Sequence, residues 1–460
     1  MQKLIAKYGL AAHLALLAAA PLFLFPFCGD VAIARVLLWI SLPAALWTIL
    51  EPSMHSGEHL HDARRRVART ILRDPLFWAS LTLVGFTGFR AINTGIALAY
   101  DAEVAAWHVS AASFPILPGV VDSAGNLPFA ASVVLLVLLQ ACRHSLGRSA
   151  RMAFFLLSSA LSGLAAIITL LAIHEGAVGA TALLPSPDGL VCSCVGFAFG
   201  FHLLCGLVAL VALFEHRWSL ACILLPLSIG GTAAGMFAFS PLYLAAAFAA
   251  LGVLVLAYDC VFVGLTFSSS KLFKAVIFCG TSLAIGGLLV AAILPSAVLT
   301  ARLDAIWALK VFPERFWEVR GVLSPISFKS WISHLWIGTG LGAFPLDFRF
   351  YAKDADWLLL PRGVALPPNG WWLVLAERGL VGLVFFALPF GFLLFTYVRR
   401  LTGWATSLRV PHPSCLMAPL ALLLFVAAGF FDCSPLRTEV LIVLGAILAV
   451  SAAEFPRVKR

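Results

Sequence analysis

The chain has 460 residues, of which 62% are apolar and 12% charged, with a mean hydropathy of +1.00. Soluble domains carry about 25% charged residues, so this composition excludes an ordinary water-soluble enzyme. The net charge of +9 suggests contact with anionic lipid headgroups and gives no reason to propose a nucleic-acid partner.

Long apolar runs recur along the whole length, the pattern of membrane-spanning helices. Twelve are predicted, at roughly 8–28, 31–50, 75–99, 128–142, 152–174, 189–214, 218–237, 241–265, 274–297, 372–398, 415–431 and 438–453. Eleven similar runs follow the first, so it does not read as a cleaved signal peptide. Basic residues set the orientation. Arg64, Arg65, Arg66, Arg69 and Arg73 fall between runs 2 and 3, and Arg143, Arg148 and Arg151 between runs 4 and 5. Arg217, Lys271, Lys274, Arg399, Arg400 and Arg409 fall between later pairs on the same side of a twelve-span chain. Both termini are therefore expected in the cytoplasm, with the segment 298–371 on the opposite face.

That segment is the polar, tryptophan-rich exception in the chain. It holds seven of the thirteen tryptophans when read as 307–372. Two amphipathic helices are predicted in it. The first covers Arg302–Arg320, with Leu303, Ile306, Trp307 and Leu309 on one face and Pro313 interrupting. The second begins with Ser324 as N-cap and Pro325 at the first helical position. Phe328, Trp331, Ile332 and Leu335 then repeat at i, i+3, i+4 and i+7. Both are expected to lie at the membrane interface. A glycine turn, Gly338-Thr-Gly-Leu-Gly342, follows, where the backbone can approach a ligand closely.

The tryptophans have two readings, an aromatic belt at headgroup depth or a platform on which sugar rings stack. On the second, Trp331 and Trp371 would bind substrate. Eight basic residues share the segment: Arg302, Lys310, Arg315, Arg320, Lys329, Arg349, Lys353 and Arg362. They read either as a solvated surface or as a set that can hold phosphate, since arginine grips it with two parallel hydrogen bonds. The ten cysteines are scattered, mostly inside the runs, and Cys192-Ser-Cys194 lacks a second ligand pair. No metal, no cofactor and no nucleotide-binding motif is expected.

In this setting the chain resembles the O-antigen ligase and polymerase superfamily of bacterial polysaccharide assembly. Arg320 stands fourteen residues before His334. His334-Leu-Trp-Ile-Gly-Thr-Gly-Leu-Gly-Ala-Phe344 resembles the glycine segment of that family's large loop. Asn369-Gly-Trp-Trp-Leu-Val-Leu-Ala-Glu377-Arg-Gly379-Leu-Val-Gly382 resembles its closing segment. The motif likeness covers about 320–383, and the span pattern covers the chain.

The resemblance implies a single all-α membrane domain over 1–460, GT-C-like, with about twelve transmembrane helices and a periplasmic loop at 298–371. It implies a bacterial inner-membrane protein that moves a glycan from a polyprenyl-pyrophosphate donor to a glycan or lipid acceptor without a metal. Membrane lipids and a lipid-linked oligosaccharide or polysaccharide are the implied partners.

The sequence departs from the family at the position of the acceptor-activating histidine. Where the family has His-Asn, this chain has Pro368-Asn369, and proline cannot take a proton. A second departure is Ser240-Pro241, where relatives carry Ser-Arg. The resemblance makes Arg320 the leading candidate for the donor pyrophosphate, with Arg315, Arg349 and Asn369 beside it. Arg90 lies in an apolar run, where a charge is costly, and is a candidate to supply the cation missing at Pro241 or to reach the interface. His334, Asp347 and Glu377 are candidates to replace the missing base, against the readings of a helix-end histidine, a surface acid and a helix-start charge. Asp354 and Asp356 are further candidate bases. Asp259 reads as an interfacial residue and His202 as a packing residue. A catalytically silent relative that binds a lipid-linked glycan, or a polytopic transporter, is the alternative.

Overall fold

The structure is a computed structural model, and it describes residues 2–28, 30–50, 59–93, 95, 97–103, 105–110, 114, 119–121, 127–175, 194–216, 221–240, 242–258, 269–308, 312, 316–353, 367–407, 414–431, 433 and 436–452. Each of the twelve apolar runs contains a helix. In chain order these are α1 (Gln2–Leu24), α2 (Asp30–Leu50), α4 (Pro75–Ala91), α5 (Leu127–Ser145), α6 (Arg148–His174), α7 (Cys194–His216), α8 (Ala221–Phe239), α9 (Leu242–Tyr258), α10 (Ser269–Ile293), α14 (Gly370–Ser407), α15 (Ser414–Gly429) and α16 (Thr438–Ala452). Three of the described helices are long and apolar enough to cross a membrane: Ser149–His174, Val276–Ile293 and Gly370–Arg399. Eight shorter ones are also apolar.

One apolar core runs through the bundle, from Leu14 of α1 through Phe154 of α6 and Phe201 of α7 to Leu444 of α16. α6, α8 and α10 approach closely because small residues meet there. Gly163 faces the Ser228 backbone, and Gly230 faces Ser282 and Gly286. Small side chains let helix backbones come together, and dispersion then holds them. α4 starts where Asp74 accepts a hydrogen bond from the Leu76 amide at 3.1 Å, with Pro75 at the first position; both features favour a helix start.

Three departures from the sequence reading appear. The third run was expected to stay helical over 75–99, yet α4 ends at Ala91 and a short antiparallel hairpin follows, β1 (Ala97–Asp101) paired with β2 (Ala106–Ser110). The fold is thus helical with this one hairpin among the described residues. A short arginine-rich helix, α3 (Leu60–Leu72), precedes α4 and buries only Ala63 and Val67.

The third departure concerns the polar segment. It forms α11 (Ser296–Trp307), α12 (Phe316–Ser333) and α13 (Phe344–Tyr351). Ser324 is not an N-cap: α12 runs through it, with Pro325 inside the helix. Burial overrides the local start signal here. Phe316, Val319, Leu323, Ile326, Ser327 and Ser330 form the buried face, and several of these pack with Phe344, Phe348 and Ala376. The predicted apolar stripe lies on the other side of the helix, where Phe328 and Ile332 are exposed. Pro241, Asp259, Arg315, Asp354 and Asp356 lie outside the described residues.

Candidate functional site

α14 is two helices joined across a break. Gly379 has φ 66° and ψ −172°, outside the helical region. A helix break frees carbonyls before it and amides after it, and in an apolar setting each must find a partner. The glycine turn supplies them. Thr339 N donates to Ala376 O at 2.9 Å and Gly340 N to Glu377 O at 3.1 Å. In return, Leu380 N donates to Leu335 O and Val381 N to Trp336 O, both at 3.0 Å. The two segments that carry the family resemblance, 334–344 and 369–382, are therefore stitched to each other through backbone atoms.

Glycine is required on both sides of this stitch. Gly338 (φ 68°) and Gly379 have left-handed φ. A Cβ on Gly338 would overlap the Glu377 carbonyl, and one on Gly379 would overlap that of Trp336. In sequence the glycine turn reads as a place where the backbone can approach a ligand closely. What it lies close to is the opened helix. A second contact extends the stitch. Leu341 N donates to Gly119 O at 2.8 Å, Val121 N to Leu341 O at 3.1 Å, and Val120 N to Asn93 O at 2.8 Å. This strand of contacts ties the turn to the end of α4.

Arg90 completes the junction. It is 1% exposed, and both terminal nitrogens donate to Glu377 O at 3.1 Å. It is buried rather than extended to the surface. Glu377 is also buried, and its carboxylate accepts from the Phe344 amide at 3.5 Å. That amide begins α13, so Glu377 acts as a helix-start charge, for α13 and not for its own helix.

Arg320 is clasped in a comparable way. Its guanidinium donates to Phe430 O at 3.0 Å, to Phe431 O at 2.9 Å and to Pro368 O, and it lies 4.3 Å from the centre of the Phe316 ring. The acceptors are carbonyls just past α15 and just before α14. Asn369 caps α14, accepting from Trp372 N at 2.8 Å. Trp371 donates from Nε1 to Val426 O at 3.2 Å and stands edge-on to Phe425. Pro368, Asn369 and Trp371 thus hold the architecture around Arg320.

Phe328, Trp331 and Trp372 form an aromatic triad, with ring centres 5.8–6.0 Å apart. The Trp331 indole N–H is buried without a hydrogen-bond partner among the described residues. Arg349 is exposed on α13.

Asp347 and His334 are brought together. Asp347 is 4% exposed, and its Oδ2 has no hydrogen-bond partner among the described residues; nor does Ser330 Oγ. Burial raises the Asp347 carboxyl above its ordinary value, while the nearby Ser330 hydroxyl and the His334 charge pull it back. His334 is exposed at the end of α12. An accessible imidazole with a buried acid behind it is an arrangement that can accept a proton.

Two further arginines are buried in the structure. Arg302 is 6% exposed and donates to Ser240 O at 2.6 Å and Ala238 O at 3.1 Å. The cation beside Ser240, for which Arg90 was one candidate, comes from α11. Arg378 is 8% exposed and drew no reading of its own from the sequence. The signal that could have found it is its position inside an apolar run. His202 is fully buried, with Nδ1 2.6 Å from Ala198 O one turn back. No protein-family model matches this chain, and no curated protein matches it.

Proposed function

We propose that the chain is a membrane protein of about twelve spans, with both termini in the cytoplasm and the 298–371 segment on the periplasmic face. In this reading it transfers a glycan from a polyprenyl-pyrophosphate donor to a glycan or lipid acceptor, as its resemblance to O-antigen ligases and polymerases implies. The observation that carries the proposal is the stitch. The two motif segments, separate in sequence, meet at one place, and His334 and Asp347 stand beside it. His334 backed by Asp347 takes the acceptor proton in place of the base lost at Pro368. Phe328, Trp331 and Trp372 form the face for the sugar.

The second reading, a silent relative that binds a lipid-linked glycan, is favoured by one specific observation. At the position of the family's histidine, Pro368 offers Arg320 a carbonyl and nothing that titrates.

The test is to delete the gene in its native host and compare surface glycans and lipid-linked intermediates. Loss of a glycan with build-up of its lipid-linked precursor, restored by wild type and not by His334→Ala, supports transfer. Restoration by both points to the silent relative or to a different base. An unchanged glycan profile without build-up removes the proposal.

A further inference from the structure

Arg378 occupies the last position before the break in α14, and its contacts differ from those of Arg90, Arg302 and Arg320. Arg90, Arg302 and Arg320 each donate to backbone carbonyls. No hydrogen bond from the Arg378 guanidinium is formed among the described residues; its contact is with the face of Phe386, 5.3 Å from the ring centre. An arginine keeps its proton at any pH a protein meets and carries five N–H donors. Left alone in an apolar interior, such a charge is strongly unfavourable.

A cavity of about 20 Å³ lies beside it, among α4, α5, α14 and α16. Its polar walls are Arg378, Thr87 and Ser132, and Leu83, Leu135 and Phe386 supply much of the rest. A space of this size has room for a water molecule or a monatomic ion. Thr87 Oγ1 and Ser132 Oγ are 2.8 Å apart. Each can also turn its proton to its own helix, toward Leu83 O at 2.8 Å and Phe129 O at 2.7 Å respectively. Hydroxyl protons rotate, so this pair can release one toward the cavity.

Charge decides what sits there. Arg90, Glu377 and Arg378 lie within electrostatic reach of one another. Two cations and one carboxylate leave one positive charge over, even with Glu377 ionised. A water molecule would satisfy N–H groups and leave that charge standing. We infer that the cavity is an anion site that takes one dehydrated halide, chloride in the cell, between the Arg378 guanidinium and the Thr87–Ser132 hydroxyls. The ion neutralises the junction and ties α4 and α5 to the break in α14. The inference stands apart from the glycan-transfer reading.

The experiment is equilibrium binding of radioactive chloride to the purified full chain in detergent, with gluconate as the background anion. The expected result is one chloride per chain, displaced by bromide and not by phosphate. Arg378→Gln should weaken binding about 10- to 100-fold, the equivalent of losing one charge-assisted hydrogen bond. Absence of saturable binding in the wild type would mean that only water fills the cavity, and would overturn the inference. So would unchanged binding in folded Arg378→Gln, or equal competition by phosphate. If Arg378→Gln does not fold, Thr87→Val takes its place, with about a tenfold loss expected and unchanged affinity counting against the site.

Discussion

Asp347 joins a structural cost to a proposed chemical role. Burial raises its carboxyl above the usual 3.8, so the fold holds the proton more readily than the unfolded chain does. A group shifted in this direction contributes its full stability below the ordinary value and loses it as pH rises through the folded value. At pH 7, well above the ordinary value, Asp347 therefore costs the fold stability that it does not cost in acid. Asp347→Asn is expected to raise the melting temperature at pH 7, with a smaller gain at pH 4. If Asp347 also supports His334, the same variant should lower transfer activity while it stabilises. Melting temperatures at the two pH values check the first expectation, and a gain that does not grow with pH would refute it. Arg320 gives the opposite balance. Arg320→Ala removes donors from three carbonyls and should destabilise by on the order of 3 kcal/mol, given about 1.5–3 kcal/mol for a charged hydrogen bond. Arg320→Lys should recover only part, because an ammonium has no fork. Chemical denaturation in mixed micelles measures both. Full stability in the alanine variant would mean that the clasp is incidental.

At the scale of elements, the break in α14 is the most demanding feature. Gly379 combines positive φ with fully extended ψ, a region that is essentially glycine's alone. Gly379→Ala should destabilise by about 1–3 kcal/mol from backbone strain alone, with the overlap against Trp336 in addition. Thermal unfolding followed by tryptophan fluorescence reads this directly, and an unchanged midpoint would mean that the break is not rigid. The helices at the apolar runs were legible because hydropathy dictates them regardless of neighbours. The break was not, since a glycine inside an apolar run looks the same whether the helix opens or continues. The pair Ser324-Pro325 was misleading for a related reason. It has the local chemistry of a helix start, but packing of Val319, Leu323 and Ile326 against α13 and α14 carries α12 through it. Arg320, Glu377 and Asn369, singled out from the sequence as candidate site residues, each hold a framework contact in the structure. The acceptors of Arg320, some 110 residues away at Phe430 and Phe431, left no trace in local spacing.

At the scale of the molecule, the proposed topology rests on arginine and lysine placement, which apolar helices alone do not reveal. Single cysteines at Ser324 and Ser145, in a chain whose native cysteines are replaced, are expected to react with an impermeant thiol reagent from opposite sides of the membrane. Ser324→Cys should label in intact cells and Ser145→Cys only after permeabilisation. Labelling of both from one side would refute the twelve-span arrangement.

The stitch has a mechanical consequence. A loop resting on a bundle through side chains can lift like a flap. Here the 335–340 backbone is bonded into the opened helix at Ala376, Glu377, Leu380 and Val381, so lifting it would strand four amides and three carbonyls in an apolar setting, each at about 1–3 kcal/mol, while Arg90 keeps the Glu377 carbonyl. The turn and the first half of α14 must therefore travel as one body. Hydrogen–deuterium exchange should register this as a single slow cooperative event shared by the amides of Thr339, Gly340, Leu380 and Val381, and fast independent exchange of the first two would mean that the turn opens by itself.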